Sequence, residues 1–252
     1  FVITICIKPT TNIGLKLSPD DIAICMPKDR ALRLRLEMKQ IHLLDGGKQA
    51  VCLPGASLHS LEKSLKTVNR APHSVIGSSS LGATVVGGIA NNSGGALVKR
   101  GPAYTELAIF AQVDKDGKLH LVNHLGIDGL GETPEEILQN IQEGNFDPSK
   151  VVHDERMASD KEYDERVRDV TSDIPSRFNA DDRRLFEASG CAGKLGVFAV
   201  RVDSYPVPEK EQVFYLGTND PAKLTKLRKD FLTQFENLPE MGEYMHRDIF
   251  NM

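Results

Sequence analysis

Between Gly77 and Gly95 the chain reads GSSSLGATVVGGIANNSGG, a run with six glycines, several hydroxyl side chains and no charge. Glycine backbones turn through positive φ and let N–H groups come close to a ligand. Interleaved Ser and Thr hydroxyls add donors, so such a run can cradle a diphosphate. Two common phosphate motifs do not fit. GSSSLGAT matches GxxxxG-x-[ST], but Ala83 stands where a P-loop needs the lysine that meets the terminal phosphates. The fingerprint G-x-G-x-x-G is absent, and no strand-turn-helix unit with an acidic residue about 20 positions on frames the glycines. On composition alone, close backbone packing would also account for them. Asn91-Asn92-Ser93 is a glycosylation sequon by pattern, but nothing else in the sequence points to secretion.

Other reactive side chains are scattered. Cys6, Cys25, Cys52 and Cys191 form no CxxC pair and sit in apolar surroundings, as buried reduced thiols do. His73 reads as a packed or loop histidine, and Tyr104 and Glu106 as anchors of the turn that follows the glycines. His246 and Arg247 could in principle serve as base and carboxylate clamp, but their position suits an ordinary helix. The formal net charge of −4 over 252 residues gives no basic face for nucleic acid. Lysines and arginines between Lys223 and Lys229 alternate with Leu224 and Leu227 as on a solvated helix face. No apolar run approaches the roughly 18 residues needed to span a bilayer.

The elements that must position these residues alternate between the strand period and the helix period. ALRLRLEM, residues 31–38, is a half-buried strand by alternation, and Ile41–Leu44 and Gln49–Leu53 flank Asp45-Gly46-Gly47 as a hairpin. Ser57 caps a helix with Leu58, Leu61, Leu65 and Val68 on one face, leading directly into the glycine run. Leu107–Val113 and Lys118–Asn123 are strands joined by a DKDG turn, and Thr133-Pro134-Glu135-Glu136 opens a helix with a capping box. From Glu143 to Arg184 charges crowd together, which reads as a long surface excursion. GVFAVRV, residues 196–202, is a strand. Pro206 and Pro208 mark a boundary near residue 206, beyond which Val213–Leu216 is a strand and Asp220-Pro221 starts a helix.

These residues carry a resemblance. The run from HSVIGSSSLGATVVGGIANNSGGALVKRGPAYTELAIFAQVDKDGKLHLVNHLGID, with an extra glycine at Gly129, resembles the flavin-binding domain of the respiratory, quinone-dependent D-lactate dehydrogenases. These belong to the vanillyl-alcohol oxidase and p-cresol methylhydroxylase (PCMH) superfamily. The likeness continues through FNADDRRLFEASGCAGKLGVFAVRV to FENLPEMGEYMHRDIF, about residues 41 to 252. It implies an α+β fold, with a PCMH-type FAD-binding domain of two α/β lobes over residues 1–206 and the start of a cap domain over 207–252. It implies FAD as cofactor, with Gly77, Thr84 and Gly94 against it and Ser78, Ser79, Gly82 and Gly88 nearby. Gly190, Gly193 and Val197 would lie beside the flavin. A second phosphate loop of the family is matched by Asn12 and Gly14 in TNIGL. The Gly-Ser turn expected next is replaced by Lys16-Leu17-Ser18-Pro19, which removes amide donors from one side of the phosphates.

The activity implied is oxidation of D-lactate to pyruvate by hydride transfer to FAD, with electrons passing to membrane quinone. No catalytic residue follows, because the resemblance places the substrate-binding groups mainly outside this stretch. Membrane association is likewise expected only through segments outside it, and the location implied is cytoplasmic, at the cytoplasmic face of the inner membrane. Two other readings stand beside this one: a non-catalytic remnant of such an enzyme, and one subunit of a split enzyme whose partner chain supplies the rest.

Overall fold

The computed structural model describes residues 38–73, 83–94, 97–178, 181–191 and 195–252. The expected strand at 31–38 lies outside them save for Met38, which is buried. Strands β1 (Ile41–Leu44) and β2 (Gln49–Cys52) form the expected hairpin, turning through Gly46 and Gly47, both at positive φ. Helix α1 (Leu58–Lys66) follows, its Ser57 hydroxyl accepting the Ser60 N–H at 3.0 Å. Leu61 and Leu65 are buried beneath it, whereas Val68 falls beyond the last turn and is largely exposed. The short strand β3 (Arg70–Ala71) and helix α2 (Val85–Ala90) come next.

Strands β4 (Ala108–Val113), β5 (Leu119–Asn123) and β6 (Gly196–Asp203) complete an antiparallel sheet of order β1-β2-β6-β4-β5. Alternation sorts its side chains. Ala50, Cys52, Ala108 and Phe110 face α1 and α2, while Val51, Ile109 and Ala111 face the other way. A bulge sets Ile109 opposite Ala199 and Phe110 opposite Val197, so Phe198 and Ala199 both reach the second face. That face is covered by Leu125, Ile127, Leu130 and Ile141, the last on helix α3 (Pro134–Glu143). The predicted capping box at Thr133 and Glu136 is formed.

The charged excursion is anchored more deeply than its composition suggests. Helix α4 (Tyr163–Arg168) buries Tyr163, and Ala158, Ser159 and Asp160 before it are also buried. Ser159 donates to Asp203 of β6 at 2.6 Å, and Asp160 is paired with Arg166 and, at 2.9 Å, with Arg184. Most of the excursion lies at the surface as expected, and its charges pair internally at Asp160, Arg166 and Arg184. Burial disfavours the Arg184 charge, yet its bonds to Asp160 and Glu162 outweigh this and hold its pKa above the ordinary guanidinium value. Arg201, on β6 and 1% exposed, reaches through the sheet to donate to the carbonyls of Gly126 at 2.9 Å and Val152 at 3.0 Å.

Strand β7 (Tyr205–Pro206) pairs with β3, and helix α5 (Pro221–Gln234) begins as expected at Asp220-Pro221. Val213–Leu216 is not a strand. Its residues are 75, 70, 82 and 56% exposed, because no neighbouring strand edge meets them among the described residues. The segment docks back through Arg100, paired with Glu240, and through Arg168, which donates to carbonyls at the end of α5. His246 caps the four-residue helix α6 (Arg247–Phe250), accepting from Asp248 N–H at 3.3 Å.

Candidate dinucleotide site

Helix α2 has two unlike faces. Val85, Val86, Ile89 and Ala90 are buried on the sheet. Thr84, Gly87, Gly88 and Asn91 leave the opposite side open, a strip with almost no side-chain bulk. Thr84 caps the helix, its hydroxyl accepting the Gly87 N–H at 3.1 Å, and Gly88 O accepts the Ser93 N–H at 2.8 Å. Thr84 and Gly88 thus share one face of α2.

The turn after α2 brings distant segments together. Asn92 sits at φ 46°, 1% exposed, and donates from Nδ2 to the Arg184 carbonyl at 2.9 Å. Its Oδ1 is buried without a hydrogen-bond partner among the described residues. Gly190, at φ 69°, donates its N–H to Ile89 O at 2.9 Å, and a Cβ there would strike Leu185 and come within 2.9 Å of Asn92 Nδ2. Gly94 is exposed, and a Cβ on it would come within 2.9 Å of the Arg177 guanidinium. Gly190 and Asn92 therefore form one glycine-dependent wall beside α2, and Gly94, two residues on from Asn92, lies against Arg177.

Val197 does not join that wall through its side chain, which is 1% exposed in the core cluster with Val85, Val86 and Ile89. Beside it opens a cleft of about 490 Å³ lined by Phe110, Gln112, Val122, His124, Glu187, Cys191 and Leu195. His124 Nδ1 lies 2.6 Å from Glu187 Oε1, and the His124 ring meets Phe110 edge-on. Glu187 is held at φ 45°, and its Oε2 is buried without a partner among the described residues. Gly77, Ser78, Ser79, Gly82, Gly193, Asn12 and Gly14 lie outside the described residues.

Asn92 and Arg177 escaped the sequence reading. An Asn just after a short helix is a signal for positive φ, but within NNS it reads first as a sequon. Arg177 lies among many charges and carries no local signal. Tyr104 and Glu106 do anchor the turn: Tyr104 donates to Glu106 at 2.8 Å, and Glu106 Oε2 accepts the Met157 N–H at 3.0 Å. Burial pushes the Cys52 thiol up to about 12, so it is an inert core thiol.

His73 is partly buried with Nε2 2.9 Å from Gly101 O. Burial, together with the Arg100 and Arg177 charges, pushes its pKa down to about 4. The folded chain thus binds this proton more weakly than the unfolded chain does. The His73 contribution is complete above the ordinary value of 6.5 and is lost as pH falls from there toward about 4. The slope is at most about 1.4 kcal/mol per pH unit. Denaturant melts between neutral pH and pH near 5 should show His73→Gln losing less stability than the parent chain; equal losses would contradict the assignment.

The wall at Asn92 and Gly190 stands beside the small-residue face of α2, and comparison with known proteins gives it a context. Quinone-dependent D-lactate dehydrogenase from Escherichia coli (strain K12) is 56% identical over 225 residues, which are 89% of this chain and 39% of the relative. The resemblance is to the quinone-dependent D-lactate dehydrogenases. The relative from Haemophilus influenzae is 49% identical over 248 residues, 98% of this chain and 44% of its own. That from Corynebacterium glutamicum is 46% identical over 213 residues, 84% of this chain and 37% of its own. The chain thus spans about two fifths of the length of these D-lactate dehydrogenases. Residues 213–252 match the family model described as D-lactate dehydrogenase, membrane binding. The expectation had placed membrane association only outside this stretch; the matched family model instead falls within it. Among the described residues no helix is long and apolar enough to cross a membrane.

Proposed function

We propose that this chain is the flavin-holding part of an FAD-dependent oxidoreductase that takes D-lactate to pyruvate and passes electrons to quinone. The observation that carries this is the 46–56% identity to three relatives named as quinone-dependent D-lactate dehydrogenases. The fold read for the holoprotein is the PCMH-type arrangement of two α/β lobes around the cofactor, with the five-stranded sheet β1-β2-β6-β4-β5 in one lobe and a cap beginning near residue 207.

The residues present fit such a cofactor. Thr84, Gly88 and the exposed Gly94 present little side-chain bulk, and Gly190 sits at φ 69°, a backbone that favours glycine. Thr84, Gly88, Gly94 and Gly190 would hold FAD together with Gly77, Ser78, Ser79, Gly82 and Gly193, which lie outside the described residues. When bound, FAD supplies the two-electron acceptor for the substrate hydride. The chain's own part is to orient that group and exclude water. The apolar cleft beside Val197, floored by Phe110, Val122, Cys191 and Leu195, suits a flat aromatic ring. The exposed Val213, Phe214, Tyr215 and Leu216 suit peripheral contact with the cytoplasmic face of a membrane.

Flavin fluorescence during titration of the chain with FAD tests the binding part, and anaerobic addition of D-lactate tests the chemistry. Saturable quenching is expected from this chain. Bleaching of the flavin by D-lactate is expected once the remaining length found in the relatives is supplied. Quenching without saturation would overturn the reading.

A further inference from the structure

We infer that the stretch from Leu232 to Gly242 is a salt-sensitive strap, fastened to the sheet-bearing part of the molecule by Arg168 and Arg100, which opens and closes as one unit. The inference stands on contacts within this chain and does not depend on the FAD reading. Residues 208–223 are exposed throughout, so no burial holds the start of this segment in place. Burial among the described residues comes later, where Leu232 and Leu238 are 7 and 5% exposed. What the strap holds is the stretch 213–252 that matches the membrane-binding family model. Phe214, Tyr215, Tyr244 and Phe250 are exposed while the strap is closed, so that stretch need not come loose to meet a surface.

Arg168, on α4, closes the first fastener. It donates to the carbonyls of Leu232, Phe235 and Glu236, each at 2.9 Å, which satisfies oxygens that α5 leaves open at its C-terminal end. Arg100 closes the second. It is 6% exposed and pairs with Glu240, while its Nη1 donates to Pro72 O at 2.6 Å and its Cζ lies 4.3 Å from the centre of the Tyr205 ring. The guanidinium is thus fixed from the body side, and it meets the strap through a carboxylate that is 36% exposed and open to ions. Backbone contacts run alongside: Val98 N–H donates to Glu240 O at 3.0 Å, and Leu97 bridges Met241 in antiparallel fashion. Only Asn237-Leu238-Pro239 lies between Glu236 and Glu240, and the proline leaves that run little slack. Release of one fastener therefore lowers the effective concentration of the other, which is the physical reason for a joint opening.

The test is amide hydrogen exchange on the whole 252-residue chain, read at Val98 and in the last turn of α5. In the parent both should exchange with one common protection, weaker than that of the paired strands β2 and β6. Arg168→Gln is expected to speed exchange at Val98 by about 10–100-fold, the range for losing a charge-assisted hydrogen bond, although the bonds of Arg168 go to residues 232, 235 and 236. Glu240→Gln should likewise speed exchange in the last turn of α5. Added NaCl should speed both places in the parent and do so much less in Glu240→Gln. Lys229→Gln, exposed on α5, should match the parent. If a variant does not fold, the NaCl series on the parent decides, since one strap requires Val98 and the last turn of α5 to move together. Val98 unmoved by Arg168→Gln, Val98 and α5 responding separately to salt, or Val98 as protected in the parent as β2 and β6 would overturn the strap.

Discussion

Gly190→Val destabilises the chain by on the order of 4 kcal/mol and abolishes cofactor binding in whatever fraction remains folded. Two costs add. The backbone at residue 190 is at φ 69°, where a β-branched residue is strained by about 1–3 kcal/mol. The new side chain would also collide with Leu185 and with Asn92 Nδ2, and overpacking of this kind costs about 1–3 kcal/mol. Relaxing the collision means moving Asn92 off the Arg184 carbonyl or breaking the Gly190 N–H bond to Ile89, and both bonds hold the wall in place. Urea melts of the variant against the parent measure the first effect and FAD titration the second. A loss below about 1 kcal/mol would mean the wall is plastic and Gly190 is not conformationally required.

Asp160→Ala has the second large effect, about 3–5 kcal/mol, the range for stripping one partner from a buried ion pair. The Asp160 carboxylate is fully buried, and its removal leaves Arg166 and Arg184 with a charge and little water. Glu162 still meets Arg184 at 2.6 Å, but it is mostly exposed and offers a screened partner. The loss reaches the candidate site because the Arg184 carbonyl is the acceptor for Asn92. Asp160→Ala should therefore weaken FAD binding as well as stability, although Asp160 touches no predicted cofactor residue. Urea melts and FAD titration read both effects. Stability lost with FAD affinity unchanged would show that the excursion does not support the site.

Local signals carried much of the fold. The β1–β2 hairpin, the Ser57 cap, the β4–β5 turn and the Thr133 capping box each depend on a few adjacent residues, and all form where the pattern puts them. Features that depend on distant partners did not read through. Val213–Leu216 has strand composition and, among the described residues, no neighbouring edge to pair with. Asp160 looks like one more surface charge until Arg166 and Arg184 close on it. The glycine run reads as a candidate cradle because glycine chemistry is local, and most of it lies outside the described residues. Arg177 was not, because nothing near residue 177 in sequence announces that Gly94 lies against it.

The central claim is that this fold binds FAD through a wall built from α2 and Gly190, and thermal melts at increasing FAD concentration test it most directly. A ligand that binds only the folded chain stabilises it by about 2.7 kcal/mol at a hundred times its dissociation constant. The account predicts a melting temperature that climbs with FAD and climbs less with riboflavin, which lacks the diphosphate. A melting temperature unmoved by FAD at every concentration would contradict it.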